Sequence, residues 1–122
     1  MAKILVIDDE PSILESLNMF LTEKGHTVLT AETGAMGLNL FSKKSFHVVI
    51  MDIRLPDLNG LDILQTMIEK KKSSKIIMIT AFQDMETTIV AIKRGAFDYI
   101  HKPLDVVKIE IEGLGILENT IA

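Results

Sequence analysis

Short, unbroken runs of aliphatic residues recur along the chain and predict strands that are buried on both faces. Three such runs contain no polar residue: Ile4–Ile7, Val48–Met51 and Ile76–Ile79. Solid apolar runs are typical of the central strands of a parallel sheet, because helices cover both faces of such a sheet. Two further strand candidates, His26–Ala31 and Phe97–His101, mix polar and apolar residues. The mixture indicates half-exposed strands at the sheet edges.

Segments with a helical period separate the strand candidates. The first helix is predicted to begin at Pro11, which suits a first helical turn, and to end near Gly25, which suits a cap. Its apolar residues share one helix face: Ile13, Leu14, Leu17, Phe20 and Leu21. Further helices are predicted over Gly34–Ser42, Leu61–Lys70 and Met85–Arg94.

The C-terminal segment gives mixed signals. Its Gly113 and Gly115 would each cost about 1 kcal/mol relative to alanine inside a helix. The alternation of strands and helices nevertheless requires a helix after the fifth strand to cover the open face of the sheet. We therefore predict a last helix over Leu104–Asn119.

Alternating strands and helices predict a parallel sheet with right-handed crossovers and helices on both faces. Three entirely apolar strands in the centre and two mixed strands at the edges match the flavodoxin-like (βα)5 doubly wound α/β fold, whose strand order is 2-1-3-4-5. The length of 122 residues suits one domain, and 48% hydrophobic residues supply a core. We expect residues 1–122 to form that single domain.

Chemically useful side chains follow four of the predicted strands. Asp8 and Asp9 follow the first strand, Asp52 follows the third, Thr80 the fourth and Lys102 the fifth. Open parallel sheets bind ligands beyond the carboxyl ends of their strands, where the strand order reverses, here between the first and third strands. We therefore expect these five side chains to meet at one rim.

The three acids that directly follow the first strand, Asp8, Asp9 and Glu10, repel one another and are costly to desolvate, so a counter-charge is expected. Magnesium is a suitable one, because Mg²⁺ prefers carboxylate, water and phosphate oxygens. Asp52 is placed to act as a carboxylate nucleophile toward a phosphoryl group, while Lys102 and Thr80 can bind its oxygens. Each residue alone is more simply read as a cap, a turn former or a surface group, but the joint arrangement favours function.

Four motifs stand in order on the predicted elements: "VIDDEP", "VIMDIRLPDLNGLD", "IIMITA" and "GAFDYIHKP". With them the sequence resembles the CheY-like receiver domains of bacterial two-component response regulators, from Lys3 to about Val107. The stretch "TAFQDMETTIVAIKRGAFDYIHKP" is most similar to the N-terminal receivers of NtrC-type transcription activators, in which an ATPase and a DNA-binding domain follow. The chain is accordingly expected to be the N-terminal part of a longer regulator or a stand-alone receiver.

The resemblance implies roles around the acidic rim. Asp52 resembles the phosphoacceptor that takes a phosphoryl group from a phosphohistidine of a sensor histidine kinase. Asp9 and Asp52 resemble direct Mg²⁺ ligands, with the backbone carbonyl of Arg54 as a third ligand. Asp8 resembles a partner that acts on the metal through water.

The resemblance also implies a switch. Lys102 and Thr80 resemble the pair that grips the phosphoryl oxygens, and Tyr99 resembles an aromatic residue that turns inward when Thr80 moves. Pro103 is a possible cis-proline, since family members commonly have a cis bond at this place. Phosphorylation would change the surface of helix 4, strand 5 and helix 5. Tyr99 also has a plain alternative reading, as a half-buried aromatic residue of an edge strand.

Composition and net charge limit the classes of partner that the chain is expected to bind. The net charge of −4 argues against direct nucleic acid binding, which usually needs a basic surface. No apolar run approaches the roughly 18 residues of a membrane-spanning helix, and the absence of cysteine suits a reducing cytoplasm. The expected partners are a sensor histidine kinase and an output domain or effector protein that controls transcription. A homodimer on activation is a further expectation.

Three rival functions remain open. An aspartate-nucleophile phosphatase has similar chemistry, but it would normally carry its nucleophile on the first strand and a cap segment over the substrate. A purely structural interaction module would not need all the acids. Flavin binding is the weakest of the three, because no phosphate-binding loop rich in Ser, Thr or Gly follows the first strand.

Overall fold

A computed structural model of the chain describes residues 1–70, 73–80 and 84–101. Five parallel strands form one sheet in the order β2-β1-β3-β4-β5. The strands are β1 (Lys3–Ile7), β2 (Thr27–Ala31), β3 (Val48–Asp52), β4 (Lys75–Thr80) and β5 (Asp98–His101). The described helices are α1 (Pro11–Glu23), α2 (Gly34–Lys43), α3 (Gly60–Glu69) and α4 (Met85–Lys93). The predicted fold class and strand order are confirmed.

Side-chain alternation along the strands divides the core into two layers. In β1, Leu5 and Ile7 belong to one buried apolar cluster, whereas Ile4 and Val6 belong to the other. Successive residues of a strand point to opposite faces, so a run without polar residues fills both layers at once. This explains why the three solid runs occupy the sheet centre, while the mixed strands β2 and β5 lie at the two edges.

The predicted bounds of the described elements agree with the structure to within one residue, except that α1 ends at Glu23, two residues before Gly25. Local hydrogen bonds account for two of the differences. Helix α3 begins at Gly60 rather than Leu61, because the Asn59 side chain caps it by accepting a hydrogen bond from the Leu61 amide at 2.8 Å. Strand β2 begins after His26, whose Nδ1 accepts a hydrogen bond from the Ala2 amide at 2.9 Å. The predicted last helix, Leu104–Asn119, lies outside the described residues.

The β3–α3 loop is held close to the sheet edge that carries the candidate site. The Gly60 amide donates to the Ile53 carbonyl oxygen at 3.1 Å, and Arg54 and Asn59 form an isolated antiparallel bridge. A side chain at Gly60 would collide with the backbone of Ile53, so only glycine permits this approach. Among the described helices, none combines the length and the apolar character that crossing a bilayer requires.

Candidate functional site

Two buried carboxylates lie side by side at the carboxyl end of the sheet. Asp52 is the last residue of β3, and Asp8 directly follows β1. The two strands are neighbours and pair Ile7 with Met51, so the next residue of each strand reaches the same rim. Asp8 is 0% exposed and Asp52 is 4% exposed. Of the side chains that the sequence predicts at this rim, the structure therefore brings Asp8 and Asp52 together.

A third carboxylate at this rim belongs to Glu10. Asp8, Glu10 and Asp52 each offer a carboxylate oxygen within 4.8 Å of the other two, and we call these three residues the acidic cluster. The Glu10 amide also donates to Asp8 Oδ1 at 2.9 Å, which fixes the turn between β1 and α1. Asp9 lies between them, is exposed and is not a member of the acidic cluster.

The donor set of the acidic cluster fits a divalent cation. Carboxylate oxygens are hard ligands, and Mg²⁺ binds proteins through one or two of them while it keeps several waters. The cluster has two buried acids and one exposed acid, so it faces solvent on one side. A cation there would offset the mutual repulsion of the carboxylates. The acidic cluster is therefore a candidate metal site.

The backbone after β3 orients the Asp52 carboxylate. The Arg54 amide donates to Asp52 Oδ1 at 3.0 Å, and the Ile53 amide donates to the Ile79 carbonyl oxygen on the adjacent strand at 3.0 Å. A carboxylate that accepts a backbone hydrogen bond two residues on is held in one orientation. The predicted role of the Arg54 carbonyl oxygen toward a metal stays a prediction.

Thr80 ends β4, the strand next to β3. The register pairs Asp52 with Ile79, so Thr80 lies one residue further toward the rim on the neighbouring strand. Its side chain is fully buried, and its hydroxyl oxygen lies 2.7 Å from that of Thr88 in α4. The structure therefore brings Thr80 to the same end of the sheet as the acidic cluster.

The predicted residues from β5 onward are only partly described. Tyr99 lies in β5, pairs with Met78 of β4 and is partly buried against the apolar cluster on that face of the sheet. Partial burial is expected both for a switch aromatic and for a plain edge-strand aromatic, so the two readings of Tyr99 stay open. Lys102 and Pro103 lie outside the described residues.

An ion pair that was not predicted from the sequence lies beside the site. The guanidinium group of Arg54 contacts Asp84 Oδ1 through both Nε and Nη2. Asp84 immediately precedes α4, and it is 5% exposed while the Arg54 side chain is 68% exposed. The pair links the β3–α3 loop to the start of α4. No pattern in the sequence signals a pair of residues 30 positions apart.

A second missed contact ties the β3–α3 loop to α2. The Asp57 carboxylate accepts hydrogen bonds from the amides of Gly34 at 2.8 Å and Ala35 at 3.0 Å. Thr33 caps the same helix end by accepting from the Met36 amide. The bonds from Gly34 and Ala35 lower the pKa of Asp57 below its usual value, because they favour the ionised carboxylate.

A doubly wound parallel sheet in the order β2-β1-β3-β4-β5 places the chain in the flavodoxin-like class of α/β folds. Comparison with known families narrows the class. Residues 4–112 match the family model described as the response regulator receiver domain. The chain belongs to the response regulator receiver family.

Relatives and solved structures agree with this assignment. The chain is 35% identical over 104 residues to the regulatory protein AtoC of Escherichia coli K12, an NtrC-type activator, covering 85% of this chain and 23% of AtoC. It is 40% identical over 103 residues to the transcriptional regulatory protein KdpE of Mycobacterium tuberculosis H37Rv, covering 84% of this chain and 45% of KdpE. The chain thus spans less than half the length of either relative.

A crystal structure of a response regulator receiver domain protein from Clostridium thermocellum superimposes on the chain with a TM-score of 0.90. The two sequences are 36% identical, and the match covers 98% of this chain and 97% of the other. The chain is therefore a receiver domain of a two-component response regulator, and the resemblance that its motifs suggest is confirmed.

Proposed function

We propose that this receiver is a phosphorylation-operated switch whose phosphoacceptor is Asp52. One observation carries the proposal. A carboxylate that is only 4% exposed ends a central strand, and two further carboxylates have oxygens within 4.8 Å of its own. A buried nucleophile beside a cation-binding cluster is what phosphoryl transfer to a carboxylate requires.

The reaction proposed at Asp52 is an in-line displacement. A carboxylate oxygen of Asp52 attacks the phosphorus of a phosphohistidine on a sensor histidine kinase, the phosphorus–nitrogen bond breaks, and an acyl phosphate forms. The hydrogen bond from the Arg54 amide to Oδ1 fixes the carboxylate during the attack. A bound Mg²⁺ would neutralise the charge on the transferring oxygens.

The remaining roles follow the family resemblance. Asp9 and Asp52 would hold the cation directly together with the carbonyl oxygen of Arg54, and Asp8 would act through water. In this chain Glu10 is an additional acid close enough to take part. The proposal makes Mg²⁺ or another divalent cation a cofactor of the switch.

The phosphoryl group would be bound by residues from the last two strands. Lys102 and Thr80 would hold its oxygens, Tyr99 would turn inward, and Pro103 would fix the chain after Lys102. The surface formed by α4, β5 and the following segment would then change its packing. To move a balance from 1:99 to 99:1, phosphorylation must favour the active state by about 5.5 kcal/mol. A few charge-assisted hydrogen bonds of about 1.5–3 kcal/mol each reach that value.

The output of the switch is proposed to be a protein contact in the cytoplasm. The altered surface would act on an output domain or effector protein, or would join two copies of the chain into a dimer, and would thereby control transcription. The family membership and the names of AtoC and KdpE as regulatory proteins support a regulatory role. We propose no direct contact of this domain with nucleic acid or membrane, and no catalysis beyond its own phosphorylation and dephosphorylation.

Labelling with acetyl phosphate and Mg²⁺, followed by intact mass measurement, tests the proposal. We expect one phosphoryl group per chain, lost in hydroxylamine as acyl phosphates are, and no label without the cation. Asp52→Asn should abolish labelling. The matched control Asp62→Asn makes the same chemical change at an exposed residue of α3 and should label like the unmodified chain. Labelling that persists in Asp52→Asn would refute the assignment.

The same protein distinguishes a switch from a phosphatase. A phosphatase would turn over p-nitrophenyl phosphate many times, whereas a switch takes up a single phosphoryl group. We expect labelling by acetyl phosphate without turnover of the ester. Continuous release of nitrophenol that Asp52→Asn removes would support the phosphatase instead.

A further inference from the structure

Thr80 and Thr88 are in direct hydrogen-bond contact beneath the start of α4. Both side chains are 0% exposed, and their hydroxyl oxygens lie 2.7 Å apart. The Thr88 hydroxyl also lies 2.9 Å from the backbone carbonyl oxygen of Asp84, one helical turn earlier. The three groups form a short chain of hydrogen bonds that runs from the end of β4 into the first turn of α4.

The number of available hydroxyl protons decides which group donates in each of these hydrogen bonds. A carbonyl oxygen only accepts, so the bond to Asp84 uses the single hydroxyl proton of Thr88. We therefore assign the proton of Thr80 to the bond between the two hydroxyls, since this assignment gives each of the two contacts a proton of its own. With this assignment, the Thr80 hydroxyl donates to Thr88 rather than toward the acidic cluster.

We propose that Thr88 is a positioning residue that sets the resting orientation of the Thr80 hydroxyl and carries its reorientation into α4. The inference rests on the proposed function, in which Thr80 donates to a phosphoryl oxygen on Asp52. Since Thr80 has one hydroxyl proton, it cannot donate to Thr88 and to the phosphoryl group together. Phosphorylation therefore has to rearrange the hydrogen bonds of Thr88.

Two rearrangements are open to Thr88. The first breaks its contact with β4, and the second changes the hydrogen bonds of the first turn of α4. Thr88 keeps its bond to the Asp84 carbonyl and loses Thr80, or it turns its proton to the Thr80 oxygen and releases the carbonyl. In either case one buried hydrogen bond of the resting state is lost. The loss opposes phosphorylation and is located at the start of α4, where Asp84 also contacts Arg54.

Two substitutions of Thr88 separate the effect of its hydroxyl group from the effect of its side-chain shape. Thr88→Val keeps the branched side chain and removes the hydroxyl, whereas Thr88→Ser keeps the hydroxyl and removes the methyl group. The probe is beryllium trifluoride with Mg²⁺, a mimic of the phosphoryl group, and binding is measured by titration calorimetry. The fluorescence of Tyr99, the single tyrosine of the chain, gives a second readout.

We expect Thr88→Val to bind the mimic about three- to tenfold more tightly than the unmodified chain, because no resting bond of Thr80 to Thr88 has to be given up. Thr88→Ser should bind within twofold of the unmodified chain, and the affinity for Mg²⁺ alone should be equal in all three. A merely structural role of Thr88 would instead weaken binding or leave it unchanged. If Thr88→Val does not fold, Thr88→Ala removes the same hydroxyl and takes its place.

Equal affinity of the valine variant and the unmodified chain would overturn the inference while leaving Asp52 labelling intact. Weaker binding by the valine variant would overturn it as well. An unmodified chain that neither binds the mimic nor takes up label would overturn the proposed function, and the inference with it. The two failures are therefore distinguishable.

Discussion

Arg54 and Asp84 form an ion pair that joins the loop after β3 to the residue before α4. The two ends of the pair differ in environment, because Asp84 is 5% exposed and the Arg54 side chain is 68% exposed. Removing a partner from a buried charge is more costly than removing an exposed charge, since the buried group has lost its water. The pair is therefore expected to be asymmetric in its effect on stability.

The asymmetry is tested by a double-mutant cycle. We expect Arg54→Met to lower the free energy of unfolding by about 1–3 kcal/mol, because it removes the cation that contacts a buried carboxylate. Asp84→Asn should have a smaller effect, since the amide carries no charge. The double variant should be less destabilised than the sum of the two, by about 1 kcal/mol. Urea unfolding followed by circular dichroism gives all four values.

Salt dependence provides the control for this cycle, because the Arg54 side chain is exposed. Surface ion pairs are screened by salt, so the coupling energy between Arg54 and Asp84 should fall when the cycle is repeated in 1 M NaCl. Strictly additive effects at low salt would show that the pair adds nothing to stability.

The Asp57 cap of α2 predicts a pH-dependent contribution to stability. Hydrogen bonds from Gly34 and Ala35 lower the pKa of Asp57 in the folded chain below the ordinary value of 3.8. Because the pKa of Asp57 is lower in the folded chain than in the unfolded chain, its contribution to stability is fully present above the unfolded pKa. It is lost as the pH falls through about 3.8 and the lower folded pKa. Asp57→Asn should therefore lower the melting temperature at pH 7, and the difference from the unmodified chain should shrink toward pH 3.

The matched control for Asp57 is Asp62→Asn in the first turn of α3, for which the structure gives no side-chain hydrogen bond from the start of α2. Thermal unfolding followed by circular dichroism from pH 7 to pH 3 compares the variants. A difference in melting temperature between Asp57→Asn and the unmodified chain that stays constant over this range would rule out the ionised cap.

The strand pattern could be predicted from sequence because burial on both faces leaves an unambiguous signal. A strand such as Val48–Asp52, which is buried at every position, contains apolar residues at all but the last, and that last residue is the candidate nucleophile. The edge strands were identifiable for the opposite reason, since half-exposure requires polar residues. The rim at which Asp8 and Asp52 meet followed from the strand order alone.

Side-chain contacts between distant elements could not be predicted in this way. The pairs Arg54–Asp84 and Thr80–Thr88 depend on how α4 is rotated against the sheet, and helix periodicity fixes only which face is buried. Thr88 fits a buried position because its hydroxyl bonds to Asp84 and Thr80, whereas a sequence pattern treats it simply as polar. Glu10 belongs to the acidic run after β1, but the sequence alone did not place it beside Asp52, because that distance depends on the turn between β1 and α1.

Geometry and family resemblance differ on which acid would join Asp8 and Asp52 in the proposed cation site. The structure gathers Glu10 with Asp8 and Asp52, while the family resemblance assigns a direct ligand role to Asp9. Both candidates are exposed, so either side chain can turn toward a cation. The shorter aspartate loses less rotamer freedom on coordination than a glutamate does, which favours Asp9 as the ligand.

We therefore expect Asp9→Asn to weaken Mg²⁺ binding by about tenfold or more, whereas Glu10→Gln should weaken it several-fold less. Calorimetric titration of each variant with MgCl₂ at fixed ionic strength measures the difference. Asp62→Asn corrects for the loss of one negative charge, since Asp62 lies outside the acidic cluster. The reverse order, with Glu10→Gln the more damaging change, would assign the ligand role to Glu10. The described geometry of the acidic cluster would then already be the geometry that binds the cation.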